Sequence, residues 1–129
     1  MNPHVGRDPA LKQCLKGHKE SITGVDFTPD SKQLVSSSLD GTLMVWNLES
    51  QRVMKFVGHK AGVHCVSFNP NGTLIASGSA DCTVKLWENN SSGTSVTIRG
   101  HTGPIKSVSF SFDGQYLLSG SDDKMLKIY

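Results

Sequence analysis

Apolar residues in this chain come in short bursts spaced by two or three positions, and the bursts recur. Ile22, Val25 and Phe27 return as Val63, Val66 and Phe68, then as Ile105, Val108 and Phe110, at intervals of 41 and 42 residues. The step of two between the last pair is strand periodicity, and the step of three before it predicts a bulge near the strand start. Turn formers follow each burst: Thr28-Pro29-Asp30-Ser31, Asn69-Pro70-Asn71-Gly72 and Ser111-Phe112-Asp113-Gly114. These residue types preset φ or tolerate a left-handed backbone. A second strand is predicted from Gln33 to Ser37, Leu74 to Ser77 and Tyr116 to Ser119. After turns at Leu39-Asp40-Gly41-Thr42, Ala80-Asp81-Cys82-Thr83 and Asp122-Asp123-Lys124-Met125, a third runs from Met44 to Trp46, Val84 to Trp87 and Leu126 to Tyr129. Arg52 to Phe56 and Ser95 to Ile98 supply a fourth strand for the first two repeats. The predicted class is all-β.

Other landmarks keep the same intervals: Gly17-His18, Gly58-His59 and Gly100-His101; Asp40, Asp81 and Asp123; Trp46, Trp87 and Tyr129. A period in the forties with a Gly-His opening, a turn Asp and a strand-end Trp is the signature of a WD-repeat propeller blade. The expected organisation is a lead-in over residues 1–10 and a partial propeller over 11–129. Its blades would span 17–57, 58–99 and an incomplete 100–129. Leu11 to Leu15 reads as the fourth strand of a closing blade whose other strands lie elsewhere. Because three blades leave terminal strands unpaired, the expectation is the front part of a longer propeller, or a ring completed by self-association or by a partner.

Composition narrows the partners. A net charge of +2, with scattered Lys and Arg, gives no argument for nucleic acid. No apolar stretch approaches the roughly 20 residues that span a bilayer, and Met1 to Ala10 is too polar for a secretory signal, so no membrane role is expected. Cys14, Cys65 and Cys82 lack CxxC or zinc-finger spacing and read as reduced intracellular thiols. Asn90-Ser91-Ser92 matches a glycosylation acceptor in form but reads as a loop between strands.

Each repeat contains a Ser, a His and an Asp, the residue types of a hydrolase triad: His18, Ser36, Asp40; His59, Ser77, Asp81; His101, Ser119, Asp123. His to Asp is 22 residues in all three and Asp to the aromatic is six, so the set belongs to blade architecture. The expected arrangement is a chain of hydrogen bonds from indole N–H to serine, imidazole and carboxylate, with no catalytic residue. His64, Cys65 and Cys82 are the one imaginable metal set. Adjacent residues on a strand point to opposite faces, so no metal is expected there. Walker, GxGxxG and HExxH motifs are absent, and no cofactor is expected.

The segments Asp8-Pro9-Ala10-Leu11, Lys16-Gly17-His18, Leu43-Met44-Val45-Trp46, Phe56-Val57-Gly58-His59-Lys60, Asp113-Gly114-Gln115-Tyr116 and Ser121-Asp122-Asp123-Lys124 resemble the amino-terminal blades of the proteome-of-centriole WD-repeat family. The resemblance implies a seven-bladed propeller and a role in centriole and basal-body assembly or stability. It also implies partners among microtubule-wall and inner-scaffold proteins, and a place in the cytoskeleton. Departures are Tyr129 for Trp, Ser31 for the turn Gly, and Ser37 where the other repeats have Gly78 and Gly120.

The function expected is therefore a non-catalytic protein-protein interaction scaffold. The alternatives are a generic intracellular WD-repeat adaptor, such as a ubiquitin-ligase receptor or part of an RNA-processing complex, and a hydrolase using one Ser-His-Asp set. Residues three and five after each His flank the first apolar position of strand one and should emerge at one rim. In WD-repeat proteins this resembles the face that commonly binds peptides, joined by the residue before the turn Asp. The partner-binding candidates are Ser21, Thr23 and Leu39; Gly62, His64 and Ala80; Pro104, Lys106 and Asp122.

Overall fold

The computed structural model describes residues 10–129. They form three antiparallel sheets, each a meander. The first comprises β1 (Ile22–Phe27), β2 (Gln33–Ser38), β3 (Thr42–Asn47) and β4 (Val53–Val57). The second comprises β5 (Val63–Phe68), β6 (Leu74–Ser79), β7 (Val84–Glu88) and β8 (Ser95–Ile98). The third comprises β9 (Ile105–Phe110), β10 (Leu117–Ser121) and β11 (Leu126–Ile128). The strands β1, β5 and β9 lie side by side along the inner edge, so the sheets stack as consecutive blades. The lead-in expected over 1–10 lies, apart from Ala10, outside the described residues.

Leu11 to Leu15, expected to pair with strands that lie elsewhere, forms no ladder within the described residues, and Leu11 is 84% exposed. A strand is defined by its ladder, and no neighbouring backbone pairs with this segment among the described residues. Apolar spacing alone cannot supply one.

The bulge expected in strand one is present: the ladders slip between Ile22 and Gly24, between Val63 and Cys65, and where Ser121 faces Ile105. The slip turns the first apolar residue of each strand onto the same face as the next two. Val63, Val66, Phe68, Ile75 and Trp87 thereby press on Val35, Leu43, Val45 and Phe56 of the preceding blade. Ile105 and Leu117 press in turn on Ala76 and Val84. The Trp87 ring meets Phe56 edge-on, centroids 5.5 Å apart, a geometry that adds about 0.5–1.5 kcal/mol beyond area burial.

The middle blade shows what a neighbour on each side does. Val66 is 8% exposed, whereas Val25, at the same place in the first blade, is 68% exposed. On the rear of the third blade, Leu126 and Ile128 are exposed, and an apolar cleft of about 320 Å³ opens beside Phe110, Tyr116 and Leu118.

The departures from the repeat have local compensations. Ser37 pairs across the ladder with Gly24, while Gly78 pairs with Cys65 and Gly120 with Ser107. The strand order of the glycine changes, yet each pair holds one side chain. A Cβ added at Gly78 would fall 2.4 Å from Ile105 Cγ2 and 2.7 Å from Cys65 Sγ, so the space between blades admits only one. Ser31 adopts φ 61°, matching Gly72 and Gly114 at 76°, and so carries the strain of a left-handed backbone that glycine avoids.

Candidate functional site

The Ser-His-Asp residues meet in every blade. Trp46 Nε1 donates to Ser36 Oγ at 3.0 Å, Ser36 lies 2.6 Å from His18 Nε2, and His18 Nδ1 lies 3.2 Å from Asp40. In the middle blade Trp87 Nε1 donates to Ser77 at 2.9 Å, Ser77 is 2.7 Å from His59 Nε2, and His59 Nδ1 is 3.0 Å from Asp81. In the third, His101 is 2.8 Å from Ser119 and 2.7 Å from Asp123, while the Tyr129 hydroxyl accepts a long 3.3 Å bond from Ser119. The ladders dictate the convergence: Leu34 faces Trp46 and Ile75 faces Trp87, which leaves each serine beside the indole. With the indole N–H donating to the serine, the serine hydroxyl is free to donate to Nε2. Nδ1 then carries the imidazole proton toward the carboxylate.

The carboxylates are saturated. Asp81 accepts from His59, from the Lys60 and Thr83 amides and from the Thr83 hydroxyl. Asp40 accepts from the matching His18, Lys19 and Thr42 groups. Burial by itself would raise both acids, but the combined donors outweigh it and hold them far below the usual carboxylate range. Asp123 has Met125 where the others have threonine. Burial again opposes ionisation, yet His101 and the Met125 and Thr102 amides bring it down to about 2. Burial lowers the His59 pKa despite the bond and charge of Asp81, and the charge of Lys85 adds to the lowering.

Sequence reasoning missed a second serine in every set and a threonine in the first two. Ser38, Ser79 and Ser121 receive the amide of the turn Asp and donate back to a carbonyl of the Gly-His loop. Thr42 and Thr83 bond the carboxylate. The shared 41- and 42-residue intervals mark the serines in the sequence as clearly as they mark the aspartates.

The rim residues divide. The amide of Leu39 bonds the Ser21 carbonyl at 3.0 Å, Ala80 bonds Gly62 at 2.9 Å and Asp122 bonds Pro104 at 3.0 Å, so both rim loops of a blade are tied together. Thr23 and His64 reach sideways instead. Thr23 Oγ1 donates to the Val63 carbonyl at 2.7 Å, and His64 Nδ1 donates to the Ile105 carbonyl at 3.1 Å, each bridging to the next blade. Lys106, the matching residue of the third blade, is exposed and pairs with exposed Asp122 at 3.7 Å. Leu39 covers Gly62, where a Cβ would fall 3.1 Å from its side chain.

The imagined metal set is dispersed. His64 is engaged with Ile105, Cys65 Sγ faces the Gly78 carbonyl, and Cys82 Sγ faces that of Ala80. Burial pushes the Cys65 thiol up to about 11, which keeps it protonated and unreactive at neutral pH.

Three stacked antiparallel sheets, each tied by the same Ser, His and Asp, define a protein built from WD-repeat propeller blades. The family model for the WD domain, G-beta repeat, matches residues 10–47, 50–88 and 93–129, and the chain belongs to that family. Among curated relatives it is similar to POC1 centriolar protein homolog B of Xenopus laevis, 59% identical over 44 residues, covering 34% of this chain and 9% of the relative. POC1 centriolar protein homolog A of Bos taurus is 46% identical over 51 residues, covering 40% of this chain and 12% of the relative. The mouse homolog B is 48% identical over 42 residues, 33% of this chain and 9% of the relative. The aligned stretches thus span only about a tenth of these relatives' length.

Proposed function

We propose that this protein is a non-catalytic protein-protein interaction scaffold of the centriole or basal body. The observation that carries the reading is the burial of Ser36, Ser77 and Ser119, at 4%, 0% and 0% exposure, inside three equivalent hydrogen-bonded sets. A nucleophilic serine must meet substrate, whereas these hydroxyls are enclosed and shared between an imidazole and an aromatic side chain. The triad chemistry is spent on tying strands together. What remains for recognition is a set of loops on a stiff frame, the arrangement in which binding residues concentrate.

The place of action rests on the similarity to proteins named as centriolar. In this reading the partners are proteins of the microtubule wall or inner scaffold. They would meet the rim at Ser21, Leu39, Lys106 and Asp122, which are exposed, while Thr23 and His64 hold the rim in shape. Imaging of the endogenously tagged protein tests the reading. Centriolar puncta or basal-body rows are expected, and a diffuse or nuclear signal would replace it with an adaptor role elsewhere.

A further inference from the structure

The outer edge of the middle blade carries cations that its architecture does not use. Lys60 follows the Gly-His turn, Lys85 lies in β7 and Arg99 follows β8. They line one cleft of about 60 Å³ with Thr83, Thr97 and Asp81. The ladder brings them together, because Lys85 faces Thr97 and the next pair, Val84 with Ile98, sets Arg99 level with Thr83. Lys85 Nζ donates to Thr97 Oγ1 at 2.7 Å and stands 5.8 Å from the Trp87 ring centroid, which fixes an otherwise mobile side chain. Asp81 is the one carboxylate in the cleft, and its oxygens already hold four donors. Among the described residues none of the three cations forms an ion pair. Three positive charges less one negative leave the cleft at +2. Beside it, Lys127 Nζ of the third blade bonds the carbonyl of Gly100, the residue after Arg99, and adds a further cation.

Comparison between blades separates this charge from the fold. The first blade has Met44 at the place of Lys85 and Val57 at the place of Arg99, and the third has Thr102 at the place of Lys60. Each of the three is thus missing from one other blade that still forms, although the first blade keeps Lys19 at the place of Lys60 and the third keeps Lys127 at the place of Lys85. Clustering unpaired like charges is unfavourable unless an anion relieves it.

We propose that this cleft docks an acidic, glutamate- or aspartate-rich segment of a partner protein. Its volume admits a carboxylate head rather than a whole small molecule. Arg99 offers the planar fork that binds a carboxylate through two parallel bonds, and Lys60 and Lys85 supply charge for the carboxylates that follow along the segment. A peptide is favoured over a nucleic acid because the cations are confined to one blade edge and the chain as a whole carries only +2. The proposal rests on the scaffold reading and names the chemistry of one partner. Its test does not involve location, so its failure would leave the centriolar placement standing.

The test is fluorescence anisotropy of the intact protein with a short fluorescein-labelled polyglutamate, a polyglutamine of equal length and a single-stranded oligonucleotide. The triple variant Lys60→Thr, Lys85→Met, Arg99→Val takes at each position a residue that another blade already uses there. A control removes three cations elsewhere, Lys12→Gln, Lys32→Gln and Arg52→Gln. Polyglutamate should bind, weaken with added salt and lose about tenfold or more in affinity in the cleft variant, with the control within about twofold of wild type. Polyglutamine should not bind. Should the triple variant melt early, Arg99→Val alone, at an exposed position, should still weaken binding about threefold. Absence of polyglutamate binding, equal loss in the control, an unaffected Arg99→Val, or tighter binding of the oligonucleotide would each overturn the proposal.

Discussion

Replacing Asp81 by alanine tests whether the Ser-His-Asp set is a structural tie. Four donors converge on this carboxylate: His59 Nδ1 at 3.0 Å, the Lys60 amide at 3.0 Å, the Thr83 amide at 2.9 Å and the Thr83 hydroxyl. They are not equally exposed. The Lys60 amide sits at the surface and finds water when the acceptor goes, so it contributes little. The His59 side chain is 0% exposed, and the other acceptor beside its N–H, the Thr83 hydroxyl, lies 3.4 Å away, too far to replace the carboxylate fully. Leaving that group unpaired costs about 1–3 kcal/mol, and losing the partly covered Thr83 amide bond costs about 0.5–1.5 kcal/mol. The sum, about 1.5–4.5 kcal/mol, is a large share of the roughly 5–15 kcal/mol that holds an ordinary domain together. Urea unfolding of the intact protein at neutral pH should show a lower midpoint with an unchanged slope, and Asp81→Asn, which keeps an acceptor, should recover part of the loss. An Asp81→Ala variant within about 0.5 kcal/mol of wild type would refute the structural role. So would turnover of a chromogenic ester that disappears in the variant while its unfolding midpoint stays put.

Acid should weaken the fold in two stages, because the folded-state pKa is depressed for both residue types. The neutral-His59 contribution is complete above the unfolded value of about 6.5 and fades as pH drops below it, and that of Asp40, Asp81 and Asp123 fades below about 4; a urea midpoint constant from pH 7 down to pH 3 would contradict this. Gly78→Ala should cost about 1–3 kcal/mol by forcing Ile105 and Cys65 apart, and unaltered thermal unfolding would show that the blades can shift to make room. Ser31→Gly should raise stability by about 1 kcal/mol, since it removes a left-handed strain at φ 61°; a lower melting temperature would count against that account. Prepared as these residues alone, the polypeptide leaves Val25, Phe27, Leu126 and Ile128 exposed and should self-associate, whereas light scattering from a monodisperse monomer would refute the expectation.

Much of this protein is legible in its sequence because each blade meets the same physical problem. Three strands or more must bury a face on the next blade and turn tightly between strands, so Ile22, Val63 and Ile105, or Asp40, Asp81 and Asp123, act as internal comparisons within one chain. That is why strand order, the bulge and the membership of the Ser-His-Asp sets can be read without coordinates. Contacts between blades are different in kind, since nothing in a local pattern states which groups face each other across the stack. Thr23 and His64 look like free rim residues until the Val63 and Ile105 carbonyls are seen beside them. Ser37 looks like a defect until Gly24 is found opposite it. Leu11 to Leu15 has the apolar spacing of a strand but no ladder partner among the described residues, and a strand is a relation between two segments rather than a property of one. Lys60, Lys85 and Arg99, scattered over forty positions of the chain, become one charged cleft only through the pairing of β7 with β8. Periodicity is written along the backbone, whereas burial, exposure and charge clustering are set by which surfaces the stacking of blades brings together.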